Sequence, residues 1–184
     1  MEKEKKNKDG RKEKNLDFLR QVINALHLSD TQFANMAGIS QQTFSYWFIT
    51  DDALLSSVMK GFENLGLKLE CNLDVQNNEE YCHSTDRYML QMTGLESVIE
   101  QPKPRMSIMQ EAIIQNKRMK FLGIVVQELG LDLKNFSETI GIKYVTMYAW
   151  FKRDDIKISK IYDIAEKLDR KVSWNITAIE KNDD

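Results

Sequence analysis

The feature of this sequence that most constrains its fold is an internal repeat. When the chain is shifted against itself by 103 positions, residues 18–73 align with residues 121–176 without a gap, and 18 of the 56 aligned pairs are identical. The identical pairs include Gly38 with Gly141, a Trp-Phe pair and an Asp-Asp pair. Helical periodicity alone does not reproduce such matches in one register. The chain is therefore predicted to contain two units of the same fold.

Within the first copy, apolar side chains recur at helical spacing and then alternate with polar ones. Ser29 and Ser40 stand at N-cap positions, and Gly38 suits the left-handed residue that ends a helix. The alternation predicts a half-buried strand after the last helix of each copy. The predicted elements are helices over residues 15–26, 30–36 and 41–48, a fourth helix that begins at Asp51 and Asp52, and strands over 67–75 and 171–179.

These patterns divide the chain into five segments. The segments are a charged disordered tail (1–14), unit 1 with its strand (15–75), a helical connecting segment (76–116), unit 2 with its strand (117–179), and a short tail (180–184). A helix is predicted over residues 86–100, and a single long helix over residues 107–129 is predicted to run into unit 2. Its Met-rich stripe (Met106, Met109 and Met119) is typical of core or dimer packing.

The stretch LSDTQFANMAGISQQTFSYWF predicts two short helices joined by a glycine-centred turn, the pattern of a helix-turn-helix. With its second copy, LDLKNFSETIGIKYVTMYAWF, it resembles the lambda repressor and Cro family (XRE-type) of DNA-binding domains. The resemblance covers the four helices of both units and implies a mostly α fold with two tandem helix-turn-helix domains. The terminal strand of each unit is closer to Cro-like proteins, and residues 76–116 have no family counterpart.

The resemblance implies that the third helix of each unit enters the major groove of duplex DNA and reads bases with its first residues. In unit 1 this role falls on Gln41, Gln42 and Tyr46, and a glutamine amide can pair bidentately with adenine. In unit 2 it falls on Tyr144 and Val145, which can touch thymine methyl groups. The chain is thus expected to act as a transcriptional regulator.

Phosphate contacts are expected mainly from unit 2, where the loop after the third helix is basic. Asp30 of unit 1 would instead repel a phosphate. The expected phosphate-contacting residues are Ser29, Thr43, Lys143, Lys152, Arg153 and Lys157.

The charge distribution supports a rival interpretation. The whole chain has a net charge of −2, and residues 16–75 carry three basic and seven acidic side chains. Residues 117–177 carry twelve basic and eight acidic side chains. Because basic side chains supply most of the affinity for DNA, unit 1 is poorly suited to bind it. A helix-turn-helix pair that has lost DNA affinity and binds a protein partner, in an antitoxin-like or dimerisation role, stays open.

Helix-turn-helix domains usually bind as two-fold dimers, and here the dimer can lie within one chain. The two strands are expected to pair antiparallel about a pseudo-two-fold axis, with Leu69, Cys71 and Trp174 among the shared apolar side chains. The recognition helices should then lie ~34 Å apart, one turn of B-DNA. Because the two reading helices differ, the operator should be asymmetric. A homodimer in addition to this pseudo-dimer stays open.

Other functions find little support in the sequence. It contains no phosphate-binding or dinucleotide-binding glycine motif, so neither an enzyme nor a cofactor is expected. Cys82 and His83 are adjacent, which is poor spacing for a metal site. No secretory signal or transmembrane run is recognised, so a cytoplasmic location is expected. Trp47 and Trp150 are assigned to the cores by their helical phase.

Overall fold

The structure, a computed structural model, describes residues 14–75 and 107–179. Over these ranges it is mostly helical, with nine helices and one two-stranded antiparallel sheet, which confirms the predicted mostly α class. The first half contains α1 (Asp17–Ala25), α2 (Asp30–Ala37), α3 (Gln41–Thr50), α4 (Leu55–Asn64) and β1 (Leu67–Val75). The second half contains α5 (Ile108–Ile114), α6 (Lys120–Glu128), α7 (Leu133–Thr139), α8 (Tyr144–Arg153), α9 (Ile158–Lys167) and β2 (Arg170–Ala178).

The repeat offset of the sequence reappears in the element bounds. Helices α1, α3 and α4 and strand β1 begin and end 103 residues before α6, α8, α9 and β2. Helices α2 and α7 also begin 103 residues apart, but α7 is one residue shorter than α2 at its end. The two halves therefore have the same order of elements, and α5 is an addition to the second half within the described residues.

Local capping explains where the first helices begin and end. Ser29 and Gln32 form the predicted capping box, and the Ser40 hydroxyl accepts a hydrogen bond from the Thr43 amide. Gly38 adopts a left-handed conformation with φ of 70°, as predicted. Lys143 replaces the capping serine in the repeat, and its side chain caps nothing.

The predicted continuous helix over residues 107–129 is wrong. Ser107 does cap α5, but α5 ends at Ile114 and α6 begins only at Lys120. Between them Asn116 is left-handed, with φ of 50°. The carboxylate of Asp154 accepts hydrogen bonds from the two backbone amides just before α6, at 3.1 and 2.9 Å. This distant side chain satisfies amides that would otherwise belong to a continuing helix.

The prediction that Asp51 and Asp52 begin the fourth helix is also wrong, since α4 begins at Leu55. Asp51 is the left-handed residue that ends α3, with φ of 51°. Its carboxylate accepts hydrogen bonds from the amides of Asn15 and Leu16, immediately before α1. The aspartates cap helices other than the one that follows them.

Strands β1 and β2 pair antiparallel within the chain, which confirms the predicted intrachain arrangement. The register runs from Leu67 opposite Ala178 to Val75 opposite Arg170. At its centre Cys71 lies opposite its own repeat equivalent, Trp174. A residue that faces its equivalent across an antiparallel pair marks a two-fold axis between the halves.

A second contact between the halves obeys the same symmetry. Leu54 forms an isolated antiparallel bridge with its repeat equivalent, Lys157. The Leu55 amide donates to the Ile156 carbonyl, and the equivalent bond runs from the Ile158 amide back to the first half, both at 2.9 Å. The two halves are thus related by a pseudo-two-fold axis that passes by both contacts.

Reciprocal caps reinforce this second contact. Asp155 accepts hydrogen bonds from the amide and hydroxyl of Ser56 at the start of α4, at 2.9 and 2.7 Å. Asp52 accepts the equivalent bond from the Ser159 amide at the start of α9, at 3.0 Å. Each half therefore caps a helix of the other.

Two apolar clusters form the core, one in each half, and the paired strands join them. The predicted core role of Trp47 is confirmed by its burial, whereas Trp150 is half-buried and packs against the second cluster. Met119 is fully buried in the second cluster, and Met109 is partly buried against it. The buried phenylalanine rings are those of Phe33, Phe44, Phe62, Phe121, Phe136 and Phe151.

None of the helices in residues 14–75 and 107–179 is long and apolar enough to cross a membrane. Several sequence predictions concern residues outside these ranges. They are the charged tail over residues 1–13, the helix over 86–100, Cys82, His83, Met106 and the tail over 180–184.

Candidate nucleic-acid interface

The first turn of α3 presents its polar side chains to solvent. Gln41, Gln42 and Tyr46 are all exposed, and Tyr46 keeps 62% of its surface accessible. Phe44 and Trp47 anchor the opposite face of the helix in the first core cluster. The reading face predicted for unit 1 is thus available to a partner.

Charge is absent from α3 itself, which contains only polar and apolar residues. Ile49, near its end, is 80% exposed, and Asp30 lies exposed in the first turn of α2. Arg20 is committed elsewhere, because its guanidinium stacks over the Phe48 ring at 4.1 Å. The surface around α3 therefore suits hydrogen bonding and apolar contact better than charge neutralisation.

The first turn of α8 is likewise accessible but aromatic and apolar. Tyr144 and Val145 are exposed, with 70% of the Val145 surface accessible. The Tyr144 ring lies 6.0 Å from the ring of Tyr148, one turn further along the same face. Tyr148 is exposed and was not among the predicted site residues, although its spacing of four from Tyr144 could have indicated it.

The basic residues predicted for phosphate contact differ in whether they already form an ion pair within the chain. Lys143, at the N-cap of α8, and Lys152 and Arg153, in its last turn, are exposed. Among the residues that the structure describes, none of these three forms an ion pair. Lys157 does form one, with Asp52 at 3.4 Å. Three of the four predicted cations are therefore available to an external anion.

The two predicted hydroxyl contacts already have partners inside the chain. The Ser29 hydroxyl lies 3.0 Å from Gln32 Oε1, and the Thr43 hydroxyl lies 2.8 Å from the Ser40 hydroxyl. Either residue must share or exchange that hydrogen bond to contact a phosphate.

The two candidate reading helices each end a few residues before the Leu54–Lys157 contact between the halves. Each is ten residues long, or about 15 Å, and each is followed within four residues by the Leu54–Lys157 bridge. The first turn of each helix is therefore farther along the chain from this contact than its last turn is.

Helix α5 gives the second half a contact that the described part of the first half lacks. It packs against α6, where a Cβ on Gly123 would lie 3.2 Å from Ile113. The equivalent residue in the first half is Arg20, which covers Phe48 with its guanidinium. Phe151, the equivalent of Phe48, is fully buried. Helix α5 in the second half therefore lies where the Arg20 side chain lies in the first half.

Groups suited to metal binding or covalent chemistry are scarce in the described ranges. Residues 14–75 and 107–179 contain no cluster of three His, Cys, Asp or Glu side chains that could hold a metal ion. Burial raises the pKa of the Cys71 thiol, so it stays protonated and unreactive at neutral pH. Hydrogen bonds from Lys120 and then Lys68 lower the pKa of Glu70.

Comparison of the chain with protein-family models, with curated proteins and with solved structures gives no match. Any functional conclusion therefore rests on the residues and geometry described above.

Proposed function

We propose that this chain is a transcriptional regulator that binds duplex DNA in the major groove through two tandem helix-turn-helix units of the lambda repressor and Cro type. The observation that carries the proposal is the pair of helices α3 and α8, which occupy equivalent positions about a pseudo-two-fold axis with exposed first turns. Two-fold presentation of such helices is how these domains engage successive major grooves. A regulator of this kind would work in the cytoplasm.

The proposal divides recognition between the halves. Gln41 and Gln42 offer amides that can pair with the N6 and N7 groups of adenine, and Tyr46 extends the same face. Tyr144 and Val145 offer apolar contact to thymine methyl groups, and the free cations Lys152 and Arg153 stand in the last turn of the same helix. Unit 1 would supply most of the sequence discrimination, and unit 2 most of the phosphate contacts.

In vitro selection from a random duplex pool tests this proposal. We expect enrichment of an asymmetric site whose two halves are centred about 10 base pairs apart, one of them containing adenines. The full chain should protect two successive major grooves on one side of that site. A pool that shows no enrichment, or a palindromic site, would contradict the proposed division.

One observation favours a second function, that of a protein-binding module. The same faces expose large apolar side chains, above all Ile49 and Val145, and the first half is acidic. Apolar residues with few charges are typical of protein interfaces. If this function is correct, the chain will not bind duplex DNA at low salt, and Ile49→Asp will abolish capture of its protein partner without unfolding the chain.

A further inference from the structure

A cleft of about 220 Å³ lies where β1 and α4 of the first half meet the turn before α6 of the second. Its apolar lining includes Met59, Leu69 and Cys71. Asn116, four basic side chains and two carboxylates form the rest of the wall, and two of the basic side chains, Lys117 and Arg118, pair with Glu111 and Asp154 outside it. The charged residues of the wall are Lys68, Lys117, Arg118, Lys120, Glu63 and Glu70.

The repeat explains why a cleft forms here. At the equivalent place in the other half, the Trp174 indole stacks on Phe18 with ring centroids 4.2 Å apart. The indole nitrogen also donates a hydrogen bond to the Tyr162 hydroxyl, at 3.2 Å. The residues equivalent to Trp174 and Tyr162 are Cys71 and Met59, neither of which has a ring. The cleft thus lies beside the two positions that carry aromatic rings in the other half.

The charges around the cleft are incompletely balanced. Lys68 and Lys120 share a single oxygen of Glu70, at 3.0 and 2.8 Å. Lys120 also contacts the Asn116 side-chain oxygen, at 2.8 Å. Each ammonium group has three donors, so both lysines retain donors for a further acceptor. Two positive charges beside one carboxylate favour an additional anion.

We propose that this cleft binds a small aromatic carboxylate, with its ring against Met59 and Cys71 and its carboxylate on Lys68 and Lys120. The other half supplies the precedent for the ring, since an indole stands at the position equivalent to Cys71. The cleft is smaller than the ~300–1,000 Å³ of most ligand pockets, so it suits a compound of one fused or single ring. The proposal does not depend on DNA binding.

Titration calorimetry of the full chain with indole-3-acetate tests the proposal, because this probe joins the missing indole to a carboxylate. We expect saturable binding of one molecule per chain. Lys120→Met should weaken it about tenfold or more, since it removes a charge-assisted hydrogen bond. Cys71→Trp, which restores the ring of the other half, should abolish it. Lys134→Met, an exposed lysine of α7 outside the cleft, should leave it unchanged.

Two further probes separate the contribution of the ring to binding from that of the charge. Indole-3-acetamide, which is neutral, should bind at least about tenfold more weakly than indole-3-acetate. Inorganic phosphate, which has no ring, should not compete. If Cys71→Trp fails to fold, Met59→Tyr tests the same point, because it adds the ring found at the equivalent position. Absence of saturable binding up to about 1 mM probe, equal binding of phosphate, or unchanged binding by the folded cleft variants would overturn the proposal.

Discussion

The two halves of this chain share a backbone plan and differ at the surface where a partner would bind. Both place a left-handed glycine between two short helices, and both bury a phenylalanine in the first of them. The front of α3 carries two glutamines, whereas the front of α8 carries Tyr144 and Val145. The last turn of α3 is uncharged, and that of α8 ends in Lys152 and Arg153.

This contrast shows which positions of the repeat are constrained by packing in the interior. The identical pairs with large apolar side chains are mostly buried or half-buried, because packing at interior density tolerates few changes of shape. The exposed positions of α3 and α8 are free of that constraint and have diverged. On the proposed function, this divergence gives one half base discrimination and the other half electrostatic attachment. Four sets of substitutions and one salt titration test how the two halves differ.

The largest effect is expected in the two cores. Phe33 and its equivalent Phe136 are 1% and 0% exposed. Each substitution by alanine should lower the free energy of unfolding by about 3–5 kcal/mol, through lost apolar burial and the cavity left behind. Urea unfolding measures both, with exposed Ile49→Ala as a control that should change little. A large loss in one half alone would show that the cores are not equivalent.

Base discrimination should give the next largest effect. On the selected operator, Gln42→Ala should weaken binding by about 1–3 kcal/mol, because the adenine-facing amide is lost. On random duplex the same variant should bind as the unmodified chain does. Fluorescence anisotropy with both duplexes gives the comparison, and Gln115→Ala, an exposed glutamine after α5, is the matched control. Equal losses on both duplexes would mean that Gln42 does not read bases.

The reciprocal caps should contribute less to stability. Asp155→Ala removes the acceptor for the Ser56 amide and hydroxyl, and Asp52→Ala removes the acceptor for the Ser159 amide. Each should lower the free energy of unfolding by about 0.5–2 kcal/mol, the usual effect of losing an N-cap. Denaturant unfolding measures the change. Asp163→Ala, which breaks only an exposed ion pair, should cost less, and an equal cost would argue against a capping role.

The smallest effect concerns Glu70, whose repeat equivalent is Ser173. Lys120 and Lys68 lower the pKa of Glu70 in the folded chain, so its ionised form stabilises the fold. This contribution is present above the ordinary pKa of a glutamate and is lost as pH falls through the lowered pKa. Glu70→Gln should therefore destabilise the chain at neutral pH by about 0.2–1 kcal/mol, with no difference in acid.

Thermal unfolding of Glu70→Gln across pH checks this. Ser173→Ala introduces no titratable group and should give a difference that does not vary with pH. A pH-independent effect of Glu70→Gln would contradict the stated cause.

The sequence predicts much of this fold because the decisive signals are local or repeated. Ser29, Gly38 and Ser40 mark helix ends because their own side chains or conformations form the caps. The offset of 103 predicts that the two strands are equivalent, and Cys71 does pair with its equivalent Trp174. The end of α5 was missed because the cap on α6 comes from Asp154, far along the chain. The repeat nevertheless predicts where α6 begins, since α1 begins 103 residues before it.

The candidate site was predictable in part. Exposure of Gln41, Gln42 and Val145 follows from helical phase, which the sequence shows. The ion pair of Lys157 with Asp52 depends on the pseudo-two-fold contact, which no local pattern encodes. The cleft beside Cys71 required knowledge of where Trp174 packs, and that is a tertiary fact.

The salt dependence of binding to a random duplex decides whether this chain binds DNA. Three free cations, Lys143, Lys152 and Arg153, predict that the logarithm of the association constant falls linearly with the logarithm of salt concentration, with a slope of roughly −3. Removing Lys152 and Arg153 together should reduce that slope by about two. Absence of binding at low salt, or binding that salt does not weaken, would contradict a DNA-binding role and favour the protein-binding module.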